Sequence, residues 1–255
     1  MQRGTPRRDW GAWLGYTAGT LISLALIAGS LMRRLEFDIT EVLGFVTGGW
    51  GVWLTVRENI WNWPIGIANS VFFLALFVQA RLFADSALQV VYIVLGALGW
   101  YWWLRGGTAR TALPIARTTP RAAVALAAQG LAATAALTLG LARVGDAAPF
   151  WDALTTTLSL VAQYMLTRKL IENWLVWMTA DAVYVALYWS RALHLTAGLY
   201  ALFFALCVAG LVQWRAASRA RDAIAPGTEI LSPILGQPGA PDPVEADAGL
   251  EAAHG

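Results

Sequence analysis

Four fully polar side chains, Asn69, Gln89, Gln163 and Asp181, stand deep inside long apolar stretches, and Tyr92, Trp177 and Tyr184 share their helical spacing. Asn62, Gly66, Asn69 and Phe73 fall at intervals of four, three and four residues, which is one face of a helix. Asp85, Gln89, Tyr92, Gly96 and Gly99 mark a second such face; Asp152, Thr156, Ser159 and Gln163 a third; and Asn173, Trp177, Asp181, Tyr184 and Tyr188 a fourth. Burying such a group in hydrocarbon without a partner costs on the order of 2–3.5 kcal/mol, so these faces turn toward a cavity or toward one another. A lone Ser, Thr or Tyr is read as interhelical glue worth about 0.6–2 kcal/mol. Asn69, Gln89, Tyr92, Gln163, Trp177, Asp181 and Tyr184 together are read as the lining of a binding site.

Amides both donate and accept hydrogen bonds, while indole and phenol faces stack on flat rings. That mixture suits a neutral or singly charged aromatic solute with hydroxyls, such as a nucleoside or a vitamin. A cationic ring would gain further from Trp177 or Tyr184 through cation–π attraction and from Asp181 as a counter-charge. Other chemistries lack their residues. There is no Gly-rich Lys-Ser/Thr phosphate loop, His194 and His254 are the only histidines, no His/Cys/carboxylate cluster has metal-site spacing, and Ser159 has no histidine near it in sequence. We expect no enzyme activity, no catalytic residue, no metal and no cofactor. A net charge of +2 spread over loops makes no basic stripe for nucleic acid.

The elements that must hold these residues are membrane spans. With 58% hydrophobic residues, 13% charged and a mean hydropathy of +0.54, the chain has too little polar surface for a water-soluble globule. Eight apolar runs, at 10–32, 40–56, 61–80, 84–104, 122–141, 150–166, 172–190 and 194–214, predict eight transmembrane helices. The first run is read as a retained helix, since it lacks a small-residue cleavage site and is followed by Arg33 and Arg34. On an eight-span path thirteen Lys and Arg fall on one side, including Arg57, Arg105, Arg168 and Lys169, and five on the other: Arg33, Arg34, Arg81, Arg143 and Arg191. The positive-inside rule then places both termini in the cytoplasm.

A duplication organises the helices. Glu58-Asn59 with Trp63 recurs as Glu172-Asn173 with Trp177, 114 residues on; Arg81 is echoed by Arg191, and Gly99 and Trp103 by Gly210 and Trp214, at slightly shorter spacings. Three helices per copy in one orientation require a connecting span, which the Ala-rich fifth run supplies. The expected domains are 1–39 with a peripheral helix, repeat A at 40–104, a loop and linker helix at 105–149, repeat B at 150–215, and a disordered cytoplasmic tail at 216–255. A transporter with its site between two parallel repeats follows. Asn59, Asn173 and Pro64 are read as structural, Gly48, Gly49 and Gly51 as helix-packing residues, Cys207 as a core residue, and Trp10, Trp13, Trp61, Trp100, Trp102, Trp103 and Trp214 as an interfacial belt.

The string from Asn59 to Ile67 (NIWNWPIGI), followed by Ala84-Asp85, Leu88-Gln89 and Gly99-Trp100, closely resembles the first half of PnuC-type vitamin transporters. Phe150-Trp151-Asp152, Ala162-Gln163, Thr167-Arg168-Lys169 and Glu172-Asn173-Trp174 with Trp177 resemble the second half. The resemblance implies an all-α SWEET-like core of 3+1+3 helices with an extra N-terminal helix. It also implies a homotrimer in the cell membrane and facilitated diffusion of nicotinamide riboside, trapped by a cytoplasmic nicotinamide riboside kinase. Riboflavin, thiamine and deoxynucleosides are the alternative solutes within that family, and proton coupling through Asp181 the alternative mechanism.

Overall fold

Proline and threonine set several helix starts. Pro120 and Pro149 begin their helices, where a missing N–H is harmless, and the Thr119 side chain accepts the Ala122 N–H at 3.3 Å. The computed structural model describes residues 10–32, 39–81, 83–192 and 194–231. Among these the chain forms α1 (Trp10–Leu31), α2 (Ile39–Val56), α3 (Asn62–Gln79), α4 (Phe83–Arg105), α5 (Pro120–Arg143), α6 (Pro149–Thr167), α7 (Asn173–Ser190) and α8 (His194–Leu231). Apart from the end of α8, every boundary lies within about two residues of its apolar run.

Asn62–Gln79, Asp85–Arg105, Pro120–Arg143 and Thr196–Ala223 are long and apolar enough to cross a membrane, and Gly15–Leu31 and Val42–Val56 are shorter apolar helices. Helices α6 and α7 are less apolar because they bury Thr155, Thr157, Ser159, Thr167, Asn173 and Asp181 on their inner faces. The described residues up to Arg215 form one compact unit, and those from Ala216 on belong to a second. In the second, α8 runs on to Leu231, which corrects the expectation of disorder from 216: the Ala- and Arg-rich stretch 216–223 is a good helix former. The tail beyond Leu231, and Arg3, Arg7, Arg8, Arg33 and Arg34, lie outside the described residues.

The two halves repeat one another at a constant spacing. Helix α3 and α7 share bounds 111 residues apart, Asn62 with Asn173 and Gln79 with Ser190. The turns before them carry Glu58 (φ 52°) and Lys169 (φ 55°), and the turns after them Arg81 (φ 60°) and Ala192 (φ 59°), again 111 apart. Trp63 packs against Gly99 and Trp174 against Gly210, so closely that a Cβ on either glycine would overlap the ring. Trp63 meets Trp103 edge-on (5.3 Å, 88°), and Trp174 meets Trp214 the same way (5.3 Å, 85°). This register corrects the 114-residue spacing read from the Glu-Asn-Trp motif; the structural partner of Trp63 is Trp174 and that of Trp177 is Gly66.

The halves also meet reciprocally. The Trp103 indole donates to the Leu166 carbonyl at 3.1 Å and the Trp214 indole to the Thr55 carbonyl at 3.2 Å, and Thr55 and Leu166 are themselves 111 apart. Trp103 and Trp214 pack together at 5.9 Å, completing a row of four indoles. Both are buried, at 3% and 0% exposure, which removes them from the expected interfacial belt. The charged counterparts Glu58 and Lys169 face each other in a 2.8 Å ion pair, and Lys169 lies 4.5 Å from the Trp103 ring centroid. The α4–α5 loop straps the same end: Ala116 exchanges backbone hydrogen bonds with Lys169 (3.0 Å) and Ile171 (2.9 Å), and Thr118 donates twice to Glu172 (2.8 and 2.7 Å).

Helix α1 packs on α2. Trp53 and Trp50 lie over Gly15 and Gly19, Tyr16 contacts both indoles, and the Trp50 indole donates to the Ser23 hydroxyl at 3.0 Å.

Candidate binding site

Between the two halves lies a cavity of about 400 Å³, to which α2, α3, α4, α6, α7 and α8 all contribute. That is the size range of small-molecule sites, about 300–1,000 Å³. Of the residues expected to form the site, Asn69, Tyr92, Gln163, Trp177, Asp181 and Tyr184 lie on its wall. Gln89 does not: it is half-buried one helical turn before Tyr92, whereas the α4 lining is Tyr92 and Gly96.

At one end the cavity meets the tryptophan row. Asn62 and Trp63 from α3 are matched there by Asn173 and Trp174 from α7. The Asn62 amide donates to the Thr55 hydroxyl at 3.0 Å, and the Asn173 amide donates to the Leu170 carbonyl. Each is thereby oriented, yet Asn62 Oδ1, Asn173 Oδ1, Trp63 Nε1 and Trp174 Nε1 have no hydrogen-bond partner among the described residues. All four atoms are buried within the wall at this end rather than exposed on the cavity surface. Asn59 behaves as expected, its side chain accepting the Trp61 N–H at 3.0 Å in the turn, while Asn173 is a lining residue rather than only a structural one.

Higher up, Asn69 donates to the Thr47 hydroxyl and, at 3.5 Å, to the Gly44 carbonyl. Asp181 is 5% exposed, and its Oδ2 accepts from the Cys207 thiol at 3.6 Å. Cys207 is thus a wall residue beside the carboxylate, not simply core. Tyr184 and Tyr200 stack at 4.5 Å, with Tyr188 at 6.0 and 5.4 Å from them and Phe203 edge-on to Tyr200 at 6.0 Å. No Lys, Arg or His is among the described residues that line the cavity.

The α2 and α8 walls leave no signal in the sequence pattern. Thr47, Thr55, Tyr200 and Phe203 carry no polar stripe that would single them out. Gly48 and Gly51, expected to pack helices, line the cavity instead; a Cβ on Gly51 would meet nothing within 4 Å, and one on Gly48 only Phe203 at 3.7 Å. Among the described residues no three His, Cys, Asp or Glu side chains are grouped to hold a metal.

Membrane-length helices enclosing a polar, aromatic-lined cavity between two matching halves define the class of a multi-pass transport protein. The chain belongs to the nicotinamide mononucleotide transporter family, whose profile matches residues 38–216. It is 29% identical over 207 residues to the nicotinamide riboside transporter PnuC of Escherichia coli (strain K12), covering 71% of this chain and 87% of that one. It is also 26% identical over 212 residues to the riboflavin/roseoflavin transporter RibM of Streptomyces davaonensis, covering 81% of this chain and 93% of RibM. The crystal structure of the vitamin B3 transporter PnuC has the same fold, with a TM-score of 0.59 at 20% identity over 79% of this chain and 92% of that one.

Proposed function

We propose that this protein carries nicotinamide riboside across the cell membrane by facilitated diffusion. The observation that carries the reading is the cavity itself: a carboxylate, Asp181, beside stacked aromatic rings and the half-buried amides of Asn69 and Gln163, with no cation in the described wall. A pyridinium ring suits Asp181, Trp177 and the tyrosines, and ribose hydroxyls suit the amides of Asn69 and Gln163. The same wall disfavours the phosphorylated mononucleotide, whose phosphate would face Asp181 with no Lys or Arg to pair it. Asn69, Tyr92, Gln163, Trp177, Asp181 and Tyr184 form the substrate site in this reading, and Gln89 stands outside the wall.

The architecture we propose is eight spans with both termini cytoplasmic, α1 peripheral, α2–α4 and α6–α8 as SWEET-like parallel repeats, and α5 as linker. The 111-residue correspondences and the polar inner faces of α6 and α7 support it. The two halves would rock about the cavity, a homotrimer would be the assembly, and a cytoplasmic kinase would trap the solute. The likeness to RibM favours riboflavin as the second reading.

Uptake into proteoliposomes tests the proposal. Labelled nicotinamide riboside should equilibrate without concentrating, and a pH gradient should not alter the end point. Concentrative uptake driven by protons would replace the uniport with the Asp181-coupled mechanism, and uptake of riboflavin alone would replace the solute.

A further inference from the structure

The two halves are equivalent in backbone but not in what they show the cavity. At lining positions 111 apart, Gly48 corresponds to Ser159, Val52 to Gln163, Ser70 to Asp181 and Gly96 to Cys207, where the second half has the larger or more polar group, while Thr55 with Leu166 and Tyr92 with Phe203 are more polar in the first half. The greatest difference is Gly66 against Trp177, both of which line the cavity. Helices α3 and α7 begin and end in register and are preceded and followed by left-handed residues at matching positions, so the backbone presents positions 66 and 177 alike. A Cβ built on Gly66 meets nothing within 4 Å, whereas one on Gly99, a packing glycine on α4 of the same half, would overlap the Trp63 ring. The space beside Gly66 is therefore the counterpart of the space that the Trp177 indole fills.

We infer that Gly66 is the residue that gives a planar ring its place in the site: the ring occupies the volume where the first half lacks the indole that the second half carries at Trp177. This rests on the reading of the cavity as a site for a ring-bearing nucleoside. Its specificity follows from shape. A one-ring pyridinium fits within an indole-sized space, and each carbon added at position 66 removes part of it.

The experiment is calorimetric titration of the purified full-length protein and of its Gly66→Ala, Gly66→Val and Gly66→Trp variants with nicotinamide riboside, alongside their thermal unfolding without ligand. The expected result is a graded loss of affinity, several-fold for Gly66→Ala and a hundredfold or more for Gly66→Val and Gly66→Trp, at wild-type unfolding temperature. Gly66→Ala carries the test should either bulkier variant fail to fold. If folded Gly66→Ala and Gly66→Val bind as tightly as wild type, the inference is overturned while the transporter reading stands. If wild type binds neither nicotinamide riboside nor riboflavin, the reading and the inference fall together.

Discussion

Replacing Asp181 with asparagine keeps the side chain's shape and the contact with the Cys207 thiol but removes the negative charge. Asp181 is 5% exposed, and no cation is among the described residues of the wall, so neither water nor a protein counter-ion does much to screen it. A pyridinium held about 5 Å away in an environment of effective dielectric about 20 is attracted by about 3 kcal/mol. Desolvating the two charges offsets roughly half of that, leaving about 1–2 kcal/mol, or about a five- to thirtyfold change in Kd. The informative comparison is nicotinamide riboside against its reduced dihydro form, which keeps the ribose and carboxamide and lacks the ring charge. Titration of the Asp181→Asn protein should show the loss for the oxidised nucleoside and little change for the reduced one. Equal losses for both would mean that Asp181 shapes the wall rather than meeting a charge, and no loss for either would refute its place at the ring.

Other consequences are equally open to measurement. Gly99→Ala and Gly210→Ala, which push a methyl into a buried indole, should each destabilise the purified protein by about 1–3 kcal/mol in thermal unfolding, whereas Gly51→Ala should be near neutral because its Cβ enters open space. Glu58→Gln, which leaves Lys169 without its carboxylate partner, should lower the unfolding temperature, and adding Lys169→Met should recover part of it; additive losses in the double mutant would deny the pairing. Cys207 is the chain's one cysteine and lines the cavity, so nicotinamide riboside should slow its reaction with a small methanethiosulfonate reagent, and unchanged labelling at saturating ligand would place the ligand elsewhere.

The helices were legible because their apolar runs end at prolines, turns and charges, signals that need no tertiary information. The end of α8 was not, since 216–223 has the low hydrophobicity of a disordered tail and the Ala and Arg content of a helix. Polar stripes on α3, α4, α6 and α7 led to six lining residues, because an amide or carboxylate inside an apolar run has few other roles. Gln89 shares a stripe with Tyr92, but a stripe fixes a helix face and not a depth, and the cavity does not reach its turn. The repeat was visible, yet its register was masked: Glu-Asn-x-x-x-Trp recurs at 114, while the positions that correspond in space, Glu58 and Lys169, carry opposite charges. Opposite charges at matching positions are what an ion pair between the halves requires, and they erase the sequence likeness there. Trp103 and Trp214 were misplaced for a related reason, since nearness to a span end does not distinguish an indole facing lipid from one facing its counterpart.

Whether the cavity between the halves binds a pyridinium nucleoside is decided by calorimetric titration of the detergent-purified protein with nicotinamide riboside, and separately with nicotinamide mononucleotide and riboflavin. Nicotinamide riboside should bind saturably and one-to-one, and the mononucleotide markedly more weakly. Tighter binding of the mononucleotide or of riboflavin would contradict the proposal.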